Sequence, residues 1–194
     1  MLTGSAAAEE DDYGNGNGLD AFLNEEATFK ESPVWDGKIA NRMGEEVVDV
    51  AVGALTSHTN PEIPVPKAPF AFAPMVVKVS PGATVRWTWV SNPYDVPIPH
   101  DVTSLVDEDG DVVLEPHADQ RFHHHAGYTP VEDGEDINPT FEFTFEERGN
   151  HLYYCTPHGA PFELCHETDD GEVCFTNPFG MRGAVKVAGR ALSD

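Results

Sequence analysis

Polar and apolar residues alternate most cleanly over 84–90, where Val85, Trp87 and Trp89 are interleaved with Thr84, Arg86 and Thr88. A period of two marks a half-buried strand, because successive side chains leave opposite faces of a pleated backbone. Residues 140–146 repeat the pattern, with Phe141, Phe143 and Phe145 set between Thr140, Glu142, Thr144 and Glu146. Shorter β-type runs lie at 47–53, 75–79, 101–106, 111–114, 151–155 and 182–188. Turn formers separate them: Ser80-Pro81-Gly82, the hairpin-like Asp107-Glu108-Asp109-Gly110, Arg148-Gly149-Asn150, and a proline-rich connection over 61–69. About seven or eight short strands bounded in this way predict an all-β fold, an antiparallel sandwich of two sheets.

Four stretches stand outside that pattern. Residues 115–139 and 159–179 are rich in turn formers and charge, and they read as two long loop insertions. Residues 19–38 have modest helical or irregular character, with Phe22, Leu23, Phe29 and Trp35 available to pack on a domain surface. Residues 1–18 are small, acidic and glycine-rich, so they are expected to form a flexible leader before a single domain over 19–194. No run approaches the roughly 18 apolar residues of a membrane span, and the start lacks a charged-then-apolar signal pattern.

Charge narrows the function classes. Acidic residues number 34 against 11 basic ones, a formal net charge of −23, so phosphates would be repelled and nucleic acid is excluded as a general partner. Such acidity often means disorder, yet hydrophobic residues make up 40% of the chain and fall into strand-like runs. A folded domain with an acidic surface suits a high-salt setting, where screening removes self-repulsion. The scarcity of lysine points the same way, to a halophilic source.

The three cysteines divide by context. Cys165 and Cys174 bracket a polar, charged segment that would have trouble folding back unaided, and a disulfide between them would close that loop. Cys155 is then left over. A lone thiol beside a disulfide calls for an explanation, and a metal bond supplies one. The alternatives are a buried structural thiol or half of a different pair.

The neighbourhood of Cys155 favours the metal. Cys155 and His158 lie in Tyr153-Tyr154-Cys155-Thr156-Pro157-His158, and Met181 lies in Gly180-Met181-Arg182-Gly183. A thiolate, an imidazole and a thioether form a soft donor set that suits copper better than magnesium or calcium. A blue-copper site needs a second imidazole, and His100, in Pro99-His100-Asp101-Val102-Thr103, is the candidate. Cys-x-x-His alone is a weak signal, shared with zinc sites and redox pairs. The methionine and the earlier histidine segment make the set more specific.

At these residues the chain resembles the small blue copper proteins of the plastocyanin and halocyanin type, the second being the haloarchaeal branch. The resemblance runs over residues 19 to 188. It is carried by Phe70-Ala71-Phe72-Ala73-Pro74, Val79-Ser80-Pro81-Gly82-Ala83-Thr84-Val85, Trp87-Thr88-Trp89, the Cys155 segment and the Met181 segment. It implies a cupredoxin-type Greek-key β-sandwich, one type 1 copper cycling between Cu(I) and Cu(II), and ligands at His100, Cys155, His158 and Met181. It also implies electron carriage at the outer face of the cell membrane of a halophilic archaeon. Redox proteins of a respiratory chain or a copper reductase would be its partners, with room for a membrane tether upstream of residue 1.

Two features depart from the family. The C-terminal histidine and the methionine are a few residues apart there, whereas residues 159–180 intervene here. The 115–139 insertion also carries His123, His124 and His125, which read as a second metal site or as a solvated, histidine-rich loop. His58, His117, His151 and His166 are assigned no metal role, and Met43 and Met75 read as core fillers. Two other functions remain in view: a copper enzyme with an open coordination position, and a copper storage or delivery protein using His123 to His125. Cys155 and His158 make no recognised nucleophile–base pair, and no orienting third group is apparent.

Overall fold

Strand alternation becomes burial in the computed structural model, which describes residues 16–25, 35–56, 68–90, 98–113, 120–127, 139–160, 164–168, 171–175 and 180–192. Twelve strands are described: β1 (Ala40–Asn41), β2 (Val47–Ala54), β3 (Ala71–Ala73), β4 (Val76–Val79), β5 (Ala83–Trp89), β6 (Pro99–Ser104), β7 (His123–Gly127), β8 (Thr140–Phe145), β9 (Gly149–Tyr154), β10 (Leu164–Thr168), β11 (Gly171–Phe175) and β12 (Arg182–Val187). A short helix α1 (Gly16–Asp20) runs into a π-helical turn at Ala21–Glu25, and one helical turn, α2 (Thr156–Gly159), follows β9.

The strands form two mixed sheets and a separate hairpin. The larger sheet runs β1-β4-β12-β9-β6-β7, the smaller β3-β2-β5-β8, and β10 pairs only with β11. The two-sheet all-β sandwich is therefore as the sequence pattern implies. Within it, β2 pairs with β5, β4 with β12 and β1 with β4 in parallel, while the remaining pairings are antiparallel. Both stretches expected as loops contain strand: β7 lies within 115–139, and the β10–β11 hairpin within 159–179. Of the leader, residues 1–15 lie outside the described residues, and 16–18 belong to α1.

Two apolar layers hold the larger sheet. Between the sheets, β5 contributes Ala83, Val85, Trp87 and Trp89 on its inward face, beside Val50 and Val52 of β2 and Phe145 of β8, and together they meet Val77, Val102, Tyr153 and Val185 of the larger sheet. Trp87 is the hub, stacked on Phe141 at 5.5 Å and edge-on to Tyr153 at 5.3 Å. On the far side, Leu19, Phe22 and Leu23 of the N-terminal turns pack over Val76, Leu152, Tyr154 and Ala184. Phe22 and Leu23 thus take the packing role their sequence context implies. Phe29 lies outside the described residues.

Arg182, buried and next to Met181, ties this second layer to the loop after β9. Its guanidinium donates to the carbonyls of Phe22 at 2.7 Å, Gly159 at 2.9 Å and Ala160 at 3.4 Å. A buried cation persists only when its donors are satisfied, and here backbone oxygens take them. No helix among the described residues is long and apolar enough to cross a membrane.

Candidate metal centre

Cys155 follows β9 in extended conformation and caps α2, whose proline sits in the first turn, where a missing N–H costs nothing. The turn closes on Cys155: its carbonyl accepts the N–H of His158 at 3.1 Å and of Gly159 at 2.7 Å. Residues three apart share one side of a helical turn, so the Cys155 and His158 side chains point the same way. Cys155 Sγ lies 3.4 Å from His158 Nδ1. From β6, His100 brings its Nδ1 to 3.7 Å from the same sulfur. The two imidazole centroids are 4.9 Å apart.

Among the described residues this is the one group of three His, Cys, Asp or Glu donors close enough to share an ion, all within 4.8 Å of one another. Sulfur–nitrogen distances of 3.4 and 3.7 Å are short enough for donors that would each sit roughly 2.0–2.3 Å from one shared ion. The chemistry fits as well. Burial, with the neighbouring His158 as the lesser cause, pushes His100 down to about 3, and burial pushes His158 down to about 4. Both rings are therefore neutral and offer lone pairs from mildly acidic pH upward. The Cys155 thiol is raised well above its usual range, first by burial and then by the charge of Asp101, while the N–H groups of Asp101 and His158 oppose this. A metal ion is the partner that would draw the proton off such a thiol.

Met181 arrives from the start of β12. The Cys155 N–H donates to its carbonyl at 3.0 Å, and its own N–H donates to the His158 carbonyl at 2.9 Å. Its side chain is fully buried in the apolar cluster that contains Cys155. Gly159 allows this approach, since a Cβ there would stand 2.0 Å from the Met181 carbonyl oxygen. Thus His100, Cys155 and His158 come together, and the backbone of Met181 is bonded to the turn that carries two of them.

Other residues, less visible in the sequence, shape the pocket. Gly53 interrupts β2 at a register shift with φ +81°, and a Cβ there would lie 3.1 Å from Cδ2 and Nε2 of His100. A lone glycine inside a strand pattern is the available signal for such a bulge and close approach. Phe70 lies tilted over His158 with ring centroids 4.5 Å apart and meets His100 edge-on at 6.2 Å. No sequence pattern assigned Phe70 that place. Trp89 Nε1–H donates to the His100 carbonyl at 3.1 Å, and Thr156 N–H donates to Asp101 Oδ1 at 2.6 Å.

The family profile for copper binding proteins of the plastocyanin/azurin type matches residues 60–163, more than half of the chain. The chain belongs to the plastocyanin/azurin family of copper-binding proteins. The matched span contains His100, Cys155 and His158 and stops short of Met181. Among curated relatives, a halocyanin from Natronomonas pharaonis is 31% identical over 144 residues, covering 73% of this chain and 64% of that protein. Similar solved structures include an auracyanin from Roseiflexus castenholzii (16% identical, 75% of this chain and 99% of that chain, TM-score 0.40). Another is a purple cupredoxin from Nitrosopumilus maritimus (18% identical, 73% and 99%, TM-score 0.34). A plastocyanin/azurin-family chain is expected to hold copper, and here the donor set that fits it is His100, Cys155 and His158.

The remaining histidines and methionines sort plainly. His151 faces away from the centre, with Nε2 2.9 Å from the Glu147 carbonyl oxygen and its ring against Phe145. Met75 packs under the N-terminal layer and Met43 against Gly189. His58 and His117 lie outside the described residues, as do the side chains of His166, Cys165 and Cys174.

Proposed function

We propose that this chain is a single-electron carrier whose one type 1 copper would be held by His100, Cys155, His158 and Met181. The observation that carries the reading is the buried convergence of one sulfur and two neutral imidazoles, 3.4 and 3.7 Å from sulfur to nitrogen. When bound, copper supplies a one-electron Cu(I)/Cu(II) couple. The chain's own residues do the rest. His100 is locked between Gly53 and the Trp89–carbonyl bond, so it has little freedom to swing when the charge at the centre changes. Phe70 and the Met181 side chain keep water from the rings and the sulfur. His158 is the less buried of the two rings, which makes it the point of electron entry and exit.

A closed, apolar surround favours this reading over a copper enzyme, which needs a position open to substrate. Redox proteins of a respiratory chain or a copper reductase are the proposed partners. At −23, the surface would draw them through a basic docking face, weakly in high salt. An extracytoplasmic place at the outer membrane face of a halophilic archaeon follows from the halocyanin likeness and the acidic surface, with residues 1–18 as a leader and 19–194 as the copper domain. A Cys165–Cys174 disulfide belongs to the same proposal, because the two are directly opposite in the β10–β11 register.

Visible and EPR spectra of the Cu(II)-loaded protein test the reading. The wild type should be intensely blue with a narrow copper hyperfine splitting. Cys155→Ser should abolish the colour, and Met181→Leu should keep it while shifting the reduction potential. Colour that survives Cys155→Ser would refute the assignment.

A further inference from the structure

The three consecutive histidines of the 115–139 insertion do not form an undifferentiated loop. They open β7, one of the two edge strands of the larger sheet, which pairs antiparallel with the strand that carries His100. Alternation along a strand sends them to two faces. His124 goes inward: it lies opposite Val102 in the register, stacks on Phe141 at 5.1 Å with the rings 3° from parallel, and meets Trp89 edge-on at 5.4 Å. His123 and His125 go outward together, and both are exposed.

We infer that His123 and His125 form a second metal site, a two-imidazole chelate for a divalent ion of the copper(II) class, on the outer face of the larger sheet. Their Cα atoms are two strand positions apart, roughly 6.6–6.8 Å at the strand rise, with side chains side by side. Imidazole nitrogen suits copper, nickel and zinc, and among divalent ions of that row copper(II) binds such donors most tightly. One ring is already oriented for ligation. His123 Nδ1 is 2.9 Å from Thr103 Oγ1; with Nδ1–H donating to the hydroxyl, the ring is held by that nitrogen and Nε2 carries the lone pair a metal needs. A chain of net charge −23 also raises the local concentration of divalent cations.

Its place gives the site a use. Thr103 Oγ1 is 3.3 Å from Thr156 Oγ1, and Thr156 follows Cys155, so two hydroxyls join His123 to the loop of the buried centre. An exposed two-histidine chelate holds copper(II) loosely beside the buried donors, as a point of capture for copper from solution. His124 is excluded from this role by its stacking. The inference stands apart from the electron-carrier reading, because the surface pair needs none of the buried donors.

Copper(II) titration of the full chain, followed by EPR, separates the two. The first equivalent should give the blue signal of the buried centre. A second should add a distinct signal with wide copper hyperfine splitting and coupling to two imidazole nitrogens. In the double variant His123→Ala, His125→Ala the second signal should vanish while the blue one remains, which also reports intact folding. Thr103→Val should weaken the second site roughly 10-fold to 100-fold, the usual effect of removing a residue that orients a ligand. A wild-type protein without a second bound copper, or a second signal unchanged in the double variant, overturns the inference. If Cys155→Ser abolishes the blue signal and leaves the second, the surface site is confirmed as independent of the buried one.

Discussion

The backbone N–H of Thr156 donates to Asp101 Oδ1 at 2.6 Å, joining the residue after the sulfur donor to the residue after the first imidazole donor. Asp101 is only 2% exposed, so this bond is made away from water. A short bond to a carboxylate oxygen is among the stronger kinds. The two ligand-bearing segments, distant in sequence, are clipped together independently of any metal.

Replacing Asp101 by leucine removes the acceptor and leaves a buried N–H unpaired, which costs about 1–3 kcal/mol. Asp101→Asn keeps a carbonyl oxygen in place and should recover most of that. Denaturant unfolding of the metal-free proteins measures the difference, and voltammetry of the copper-loaded ones should show a larger displacement of potential for leucine than for asparagine. Equal stability of all three would mean the clip contributes nothing.

Gly53 answers to two constraints at once. Its φ of +81° disfavours any side chain, at roughly 1–2 kcal/mol, and its missing Cβ leaves the His100 ring its space. Gly53→Ala should therefore lose stability and also push the ring at Cδ2 and Nε2, which lie on the far side from the Nδ1 facing Cys155. The expected outcome is weaker copper retention against a chelator, together with a displaced absorption band. An alanine protein with an unaltered spectrum would show that the ring position tolerates the added methyl.

The folded-state values of His100, about 3, and His158, about 4, fix the sign of a pH effect. Both lie below the usual 6.5, so as pH falls through 6.5 the unfolded chain takes up protons that the folded metal-free chain does not. Stability from these neutral rings is fully present above 6.5 and is lost as pH falls toward 4, at up to about 1.4 kcal/mol per pH unit for each ring. The 34 acidic side chains complicate the raw curve, so the comparison is with His158→Gln. That variant should show a shallower loss of melting temperature between pH 6.5 and 4. Parallel curves for the two proteins would contradict the assigned burial cost.

Strands with apolar–polar contrast, such as β5 and β8, were readable because their period shows in the residues themselves. So was the Cys155–His158 pairing, since i and i+3 on one turn are local geometry. The parallel partnership of β2 with β5 was not, because nothing in either segment states which distant strand lies alongside or in which direction. β7 escaped for a different reason: His123, His124 and His125 offer no apolar–polar contrast, and the middle one is distinguished by the rings of Phe141 and Trp89. Arg182 reads as a surface residue from its chemistry, and its burial depends on carbonyls supplied by Phe22, Gly159 and Ala160. Phe70 acquires its role only through the position of His158.

The β10–β11 hairpin pairs with no other described strand, so its own cross-link matters more than it would inside a sheet. Cys165 and Cys174 are Cα partners in its antiparallel register. Directly opposed residues in such a pair have Cα atoms about 4.5–5.5 Å apart, within the span a disulfide bridges. Under denaturing, non-reducing conditions the metal-free protein should then expose one reactive thiol, that of Cys155, and three after reduction. Closing so short a loop contributes about 2.5 kcal/mol in the chain-entropy model, so Cys165→Ser with Cys174→Ser should lower the unfolding midpoint accordingly. If only the hairpin frays when the bridge is removed, protease will nick within 164–175 while the blue spectrum persists. Three reactive thiols before reduction would rule the bridge out.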